Sequence, residues 1–158
     1  MTDARFQDGA PEALSLRAET PEDLPVIAAL CQDAVLSQAD MRFDRSGRHF
    51  ALVMNRFRWE HQRPTRTPAP APTPERVRTL LVISDVTGVA SQGLDRTARD
   101  QILSILDLSW EAGPDGTGQI LITLAGDGAI AVRAECLNVD LRDVSRPWPA
   151  RATPHHPD

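Results

Sequence analysis

Residues 33–60 read DAVLSQADMRFDRSGRHFALVMNRFRWE, and the beginning of this stretch occurs a second time further along the chain. Asp33–Phe43 aligns without gaps on Asp100–Trp110, with four identical positions and three like-for-like exchanges. After each copy, a polar loop that contains glycine leads into an apolar run. The pattern predicts a strand–loop–strand unit that is used twice. Because any two hairpins can share such a pattern, true duplication and coincidence both remain open.

The composition is that of an ordinary globular domain. With 158 residues, 41% hydrophobic and 25% charged, the chain is long enough to bury roughly 70% of its unfolded surface in one domain. No apolar run approaches the roughly 20 residues that a transmembrane helix needs, so we expect a cytoplasmic protein without membrane contact. Cys31 and Cys136 lie far apart in apolar patterns, which predicts small buried residues and neither a disulfide nor a zinc site.

The distribution of polar residues and prolines predicts three parts. Residues 1–12 are expected to form a flexible tail, residues 13–145 a single domain, and residues 146–158 an extended tail. Within the domain, residues 63–75 contain five prolines and are expected to form a Pro-rich loop in an extended conformation.

The N-terminal part of the domain carries signals of one amphipathic helix. Either Thr20 or Asp23 can cap it, and with Asp23 as the cap, Pro25 lies harmlessly in the first turn. The apolar residues from Leu24 onward follow helical spacing, which predicts about three turns that pack on a sheet.

The remainder of the domain is dominated by alternating apolar residues, which is typical of strands. We therefore predict an α+β fold with six or seven mainly antiparallel strands, two hairpin-based halves and one helix. The sequence leaves open whether the strands close into a barrel or form two packed sheets.

Charge is distributed unevenly along the chain. Met41–Arg66 contains seven Arg against two acidic residues, a net charge of +5, whereas the whole chain has a formal charge of −5. In the second strand of the first hairpin, alternation places Arg56 and Arg58 opposite Phe57 and Trp59, so we expect core aromatics and a solvated arginine row. The resulting candidate for a basic interaction patch consists of Arg42, Arg45, Arg48, Arg56 and Arg58.

No motif points to catalysis, a cofactor or a metal. Gly126–Ala131 matches the letters of a dinucleotide fingerprint, but the following residues alternate as a strand, so we interpret the glycines as a hairpin turn. Gly88–Gly93 is out of register for a nucleophile elbow, and no histidine with an acidic partner is evident. The pair His155 and His156 lies next to the C-terminus, where ligands are poorly held. We therefore predict no catalytic, cofactor-binding or metal-binding residues.

Several segments together carry a family resemblance. They are LCQDAVL (30–36), NRFRWE (55–60), GDGAIAVRAEC (126–136) and PW (147–148). Over about residues 14–148 the chain resembles a family of short bacterial proteins of unknown function, DUF2948. The resemblance implies no activity, cofactor or site residue.

The sequence favours a non-catalytic binding or adaptor protein that acts through protein–protein contacts. The basic stretch on an acidic body and the Pro-rich segments motivate this hypothesis. Binding of RNA or single-stranded nucleic acid through residues 42–66 is the second hypothesis, because arginines are interleaved there with aromatic residues, the types that bind phosphates and stack on bases. It ranks second because strand alternation places Arg56 and Arg58 on the face opposite the aromatics, whereas stacking requires both on one exposed face. An enzyme of a type without a recognised motif is the third. The sequence predicts no cofactor and does not determine the oligomeric state or the identity of the partner.

Overall fold

A computed structural model of the chain describes residues 13–61 and 74–150. Within these residues there are one α-helix and eleven strands, more than the six or seven predicted, because several strands have only two to four residues. The helix is α1 (Leu24–Cys31), and the strands are β1 (Ser15–Ala18), β2 (Val35–Ser37), β3 (Met41–Asp44), β4 (His49–Phe57), β5 (Glu75–Ile83), β6 (Val86–Gln92), β7 (Ile102–Ala112), β8 (Gly118–Leu124), β9 (Ala129–Ala134), β10 (Val139–Asp143) and β11 (Trp148–Pro149).

All strands belong to one antiparallel sheet. Its order is β1-β10-β5-β4-β2-β7-β8-β9-β6, with β3 paired to β4 and β11 paired to β5. The path has two ends, β1 and β6, so the sheet is open, and neither the closed barrel nor the pair of separate sheets describes it. The sheet nevertheless surrounds a single hydrophobic cluster, which includes buried residues from β5 near one end and β9 near the other.

The turn at the second hairpin is confirmed. Gly126 and Asp127 both have positive φ, and the N–H of Leu124 donates to the carbonyl oxygen of Gly128 at 2.9 Å. These residues therefore reverse the chain between β8 and β9 and do not open a helix.

Helix α1 covers one side of the core. Leu24, Ile27, Ala28 and Cys31 are buried, and the helix packs mainly on β7. It has eight residues, about two turns instead of the predicted three. Asp23 occupies the N-cap position, so Pro25 lies in the first turn, where its missing N–H removes no intrahelical bond.

The two copies of the repeated stretch have different structures. The second copy lies in the continuous strand β7, whereas the first is divided into β2 and β3 by a 3-10 turn over Gln38–Asp40. The copies pair with each other, and Leu36 of β2 lies opposite Leu103 of β7. Before β2, Asp33 adopts a left-handed conformation with φ 64°, which turns the chain from the helix into the strand.

The predicted N-terminal tail and the second part of the predicted C-terminal tail lie outside the described residues. Residues 1–12 and 151–158 are not described, nor are residues 63–73 of the Pro-rich loop. Within the stretch predicted as a C-terminal tail, Trp148 and Pro149 pair with the beginning of β5. The domain boundaries otherwise stay a prediction.

Candidate functional site

The structure contradicts the expectation that Arg56 belongs to a solvated arginine row. Arg56 is 0% exposed, as is its neighbour Phe57, because the end of β4 is covered on both faces. The guanidinium donates to both carboxylate oxygens of Glu60 at 2.9 and 2.8 Å and to both of Asp143 at 3.0 and 3.1 Å. Its Nε donates to the hydroxyl of Thr79 at 3.1 Å. The side chain is therefore part of a buried network of ion pairs and hydrogen bonds and not an exposed charge.

Asp143 extends this cluster to the edge of the sheet. Its carboxylate is 3% exposed and accepts the hydroxyl proton of Thr79 at 2.9 Å and the backbone N–H of Leu14 at 3.0 Å. The cluster thus joins β4, β5 and β10 to the chain that enters β1. Burial alone would raise the pKa of Glu60, but the hydrogen bonds and charge of Arg56 outweigh it and lower that pKa.

Arg58 also does not contribute an exposed charge to the proposed patch. Its side chain is 11% exposed and forms an ion pair with Glu75, so it is largely buried and neutralised. Arg42, Arg45 and Arg48 are exposed at the β3–β4 hairpin. Arg56 lies seven residues along β4 from His49, a separation of about 24 Å at the usual rise of a strand. The structure therefore does not bring the five arginines together in one patch.

The exposed arginines of the hairpin have their own contacts. The guanidinium of Arg45 lies 5.5 Å from the ring centroid of Phe43, in a cation–π arrangement. Arg48 forms a salt bridge with Glu135 at 2.6 Å between two exposed side chains. What remains of the predicted patch is this hairpin alone.

A groove of about 460 Å³ lies between α1 and β7. Its helix side consists of Pro21, Leu24, Pro25, Ala28, Ala29 and Gln32, and its strand side runs along five consecutive residues, Leu106–Trp110. Consecutive residues of a regular strand line a groove together where the edge of the strand faces it, because their side chains alternate between the two faces. In β7 a register shift between Ile105 and Asp107 also interrupts this alternation at the beginning of the stretch. The edge is free there because the backbone bonds on that side of β7 end at Ile105, which exchanges hydrogen bonds with Asp33 and Ala34. Before these residues the chain turns away into the helix.

Hydrogen-bond alternation identifies the backbone groups that face the groove. The N–H of Gly113 donates to Thr117 at 2.7 Å, so every second residue before Gly113 exchanges its bonds with β8. The β8–β9 turn supports the same assignment. Leu124 and every second residue before it form their backbone hydrogen bonds with β9, so the intervening residues of β8 form theirs with β7. Leu108 and Trp110 therefore direct their N–H and C=O groups away from β8 and into the groove.

These backbone groups lie in a groove whose lining combines apolar side chains with Gln32, Asp107 and Ser109. Leu108 is only 4% exposed, and neither it nor Trp110 has a backbone partner on the groove side among the described residues. Buried N–H and C=O groups almost always have a partner. The groove therefore presents hydrogen-bonding groups and apolar side chains together, which is the arrangement that an added strand satisfies.

Neither cysteine is an activated nucleophile. Cys31 is buried, and the loss of solvation raises the pKa of its thiol to about 12. The prediction that Cys136 is also buried is wrong, because the bend between β9 and β10 places it at the surface. Its Sγ donates to Asp85 at 3.3 Å, and this hydrogen bond is the main cause that raises its pKa above the ordinary thiol value.

Residues 13–61 and 74–150 contain no group of three or more His, Cys, Asp or Glu side chains placed to hold a metal. Within the same residues, none of the helical segments has the length and hydrophobicity of a membrane-spanning helix. The family model described as "Protein of unknown function (DUF2948)" matches residues 14–156. No curated protein and no solved structure matches the chain.

Proposed function

The chain belongs to the DUF2948 family, and we propose that it is a non-catalytic adaptor that binds an extended segment of a partner protein as an additional strand along β7. The observation that carries the proposal is the free edge of Leu108 and Trp110 inside the groove beside α1. The proposal includes the cytoplasmic location expected from the sequence.

Backbone hydrogen bonds alone do not provide useful affinity. The two residues offer two N–H and two C=O groups, and four bonds at about 0.5–1.5 kcal/mol each contribute roughly 2–6 kcal/mol. Micromolar binding requires about 8 kcal/mol beyond the cost of association. The remainder has to come from apolar side chains that enter the groove against Leu24, Ala28 and Trp110.

The charges around the groove define the chemistry of the partner. Asp107 and Glu111 flank the free edge of β7, and Glu22 and Asp23 precede the helix on the opposite side. All four side chains are exposed, and the groove itself is lined by no Arg among the described residues. Because opposite charges stabilise cross-strand pairs, we propose a partner segment in which apolar and basic residues alternate.

The direct test is selection from a displayed library of nine-residue peptides, followed by affinity measurements on the selected sequences. We expect selected peptides with alternating apolar and basic residues, and slower hydrogen exchange at the amides of Leu108 and Trp110 in the complex. A29W fills the groove from an exposed helix position and should weaken binding at least tenfold. V26W is the matched control, because Val26 is 56% exposed on the same helix and does not line the groove. Binding that A29W leaves unchanged, or protection elsewhere in the sheet, contradicts the proposal.

Nucleic-acid binding remains the second proposal. Of the candidate patch, Arg42, Arg45 and Arg48 are exposed, whereas Arg56 and Arg58 are neutralised inside the molecule. Three arginines that contact phosphates on a single strand would give a slope of about −2 for log K against log salt concentration. A titration of single-stranded oligonucleotides at several salt concentrations measures this slope, and the absence of binding at low salt eliminates this proposal.

We also propose that the two copies of the repeated stretch arose by duplication. The support is their mutual register, because Val35, Leu36 and Ser37 pair in reverse order with Ser104, Leu103 and Ile102. Aligned residues therefore lie symmetrically about the Leu36–Leu103 pair. Sequences of relatives in which the two stretches are more similar would support the proposal, and relatives without any such similarity would contradict it.

A further inference from the structure

A second cavity lies where the edges of β3 and β6 face each other without pairing. Met41 and Phe43 of β3 and Val89 of β6 contribute side chains to it, and β6 pairs only with β9 on its other side. We call this cavity the seam. It has a volume of about 320 Å³, within the range of small-molecule sites in proteins.

The seam is closed at both ends by backbone hydrogen bonds. At one end the N–H of Val86 donates to the carbonyl oxygen of Arg48 at 3.0 Å. At the other end the N–H groups of Gln38 and Ala39 donate to Gln101 and Arg99 at 2.9 and 2.8 Å. An extended polypeptide cannot lie along a slot that is closed at both ends, whereas a compact ligand can occupy it.

The interior of the seam is mainly apolar, with Ser91 as a polar residue in its wall. Phe50 and Ile130 form a buried floor, while the side chains at the walls pack on the core and are only partly covered. The apolar side chains that line it are Met41, Phe43, Phe50, Val89, Leu94 and Ile130. Partly covered apolar walls lose contact with water when an apolar group enters, which favours binding.

The rim of the seam is basic. Arg96 and Arg99 line it, are exposed, and have no side-chain partner among the described residues. The guanidinium of Arg45 lies over Phe43, a residue of the seam wall. The amide of Gln38 donates to the carbonyl oxygens of Asp95 and Ala98 at 3.0 and 3.1 Å, which holds the loop that carries both rim arginines.

The nearest carboxylate in that loop does not neutralise the rim. Asp95 accepts hydrogen bonds from the hydroxyl and backbone N–H of Thr97 at 2.6 and 3.0 Å, and it forms no ion pair with Arg96 or Arg99. Asp100 is exposed and does not line the seam. The rim therefore retains unpaired guanidinium groups, which are suited to bind a planar carboxylate in a bidentate manner.

We propose that the seam binds a small amphipathic carboxylic acid, with its acyl or aryl part inside the seam and its carboxylate on Arg96 and Arg99. This site is separate from the strand-addition groove and does not depend on it. The closed ends favour a compact ligand over a peptide, the walls select an apolar body, and the rim selects an anion.

The probe is decanoate, titrated below its micelle concentration and followed by methyl NMR signals of Met41, Val89, Leu94 and Ile130. We expect saturable shifts at these methyl groups. R96Q/R99Q should weaken binding at least tenfold, because it removes both charges from exposed positions without disturbing the core. R142Q removes an exposed arginine on β10 and should bind decanoate like the unchanged protein.

Two further ligands and one variant make the outcomes decisive. Decanol should bind at least tenfold more weakly than decanoate, and equal binding of decanol overturns the role of the rim. Decyl phosphate that binds more tightly than decanoate overturns the assignment to carboxylates. Shifts outside the seam, or binding that R96Q/R99Q leaves unchanged, overturn the site itself. A29W should leave decanoate binding intact, so failure of the peptide experiment and failure here can be distinguished.

Discussion

Replacement of Arg56 by Met should destabilise the protein far more than replacement of any exposed arginine. Arg56 is completely buried, and its guanidinium is the cation that neutralises Asp143, whose side chain is 3% exposed. R56M leaves that carboxylate with hydrogen bonds from Thr79 and Leu14 but without a positive charge. Removal of one partner from a buried ion pair costs about 3–5 kcal/mol. Because domains are stable by only about 5–15 kcal/mol, this is a large part of the total.

The assay is urea unfolding at 25 °C, monitored by circular dichroism. With a slope of about 2 kcal/mol per molar urea, a loss of about 4 kcal/mol moves the midpoint by about 2 M. R42M is the control, since an exposed arginine should change the stability by about 0.5 kcal/mol or less.

The double variant R56M/D143N separates the uncompensated charge from the loss of packing. The amide that D143N introduces has nearly the shape of the carboxylate but no charge, so the double variant should recover about 1–3 kcal/mol relative to R56M. A midpoint for R56M equal to that of R42M would refute the reasoning. A double variant no more stable than the single one would show that packing, and not the orphaned carboxylate, accounts for the loss.

The remaining predictions concern titration and thiol reactivity. The pKa of Glu60 is lowered in the folded state, so its contribution to stability is complete above the unfolded value near 4.5 and is lost as the pH falls through the lower folded value. Unfolding curves between about pH 6 and pH 3 should show this loss. E60Q should remove the part of the pH dependence of the free energy of unfolding that comes from Glu60. Cys136 should react with a thiol reagent in the native protein and Cys31 only after unfolding, because Cys31 is buried. D85N removes the hydrogen bond that is the main cause of the raised pKa of Cys136 and should accelerate that reaction, and an unchanged rate would contradict the assignment.

The position of Arg56 in β4 already indicates that its side chain is buried. Phe50, Leu52 and Met54 alternate into the core, and the same alternation places Arg56 on that inward face. The pattern was therefore sufficient to indicate a buried arginine. Its partner Glu60 lies only four residues further along the chain, whereas Asp143 lies 87 residues away and is brought close only by pairing of β10 with β5.

The sequence by itself determined the local structure, namely the strands and the reversal at Gly126–Gly128. It also determined the family to which the chain is similar. These features depend on side-chain alternation and turn chemistry within a few residues. The tertiary structure decided the open order of the strands, the free edge of Leu108 and Trp110, and the rim of Arg96 and Arg99. Each depends on which distant strand lies beside which, and the sequence around Arg96 reads only as a polar connection. A free strand edge and an unpaired guanidinium are defined by the neighbours that they lack, and neighbours distant in sequence are fixed only when the whole sheet is assembled.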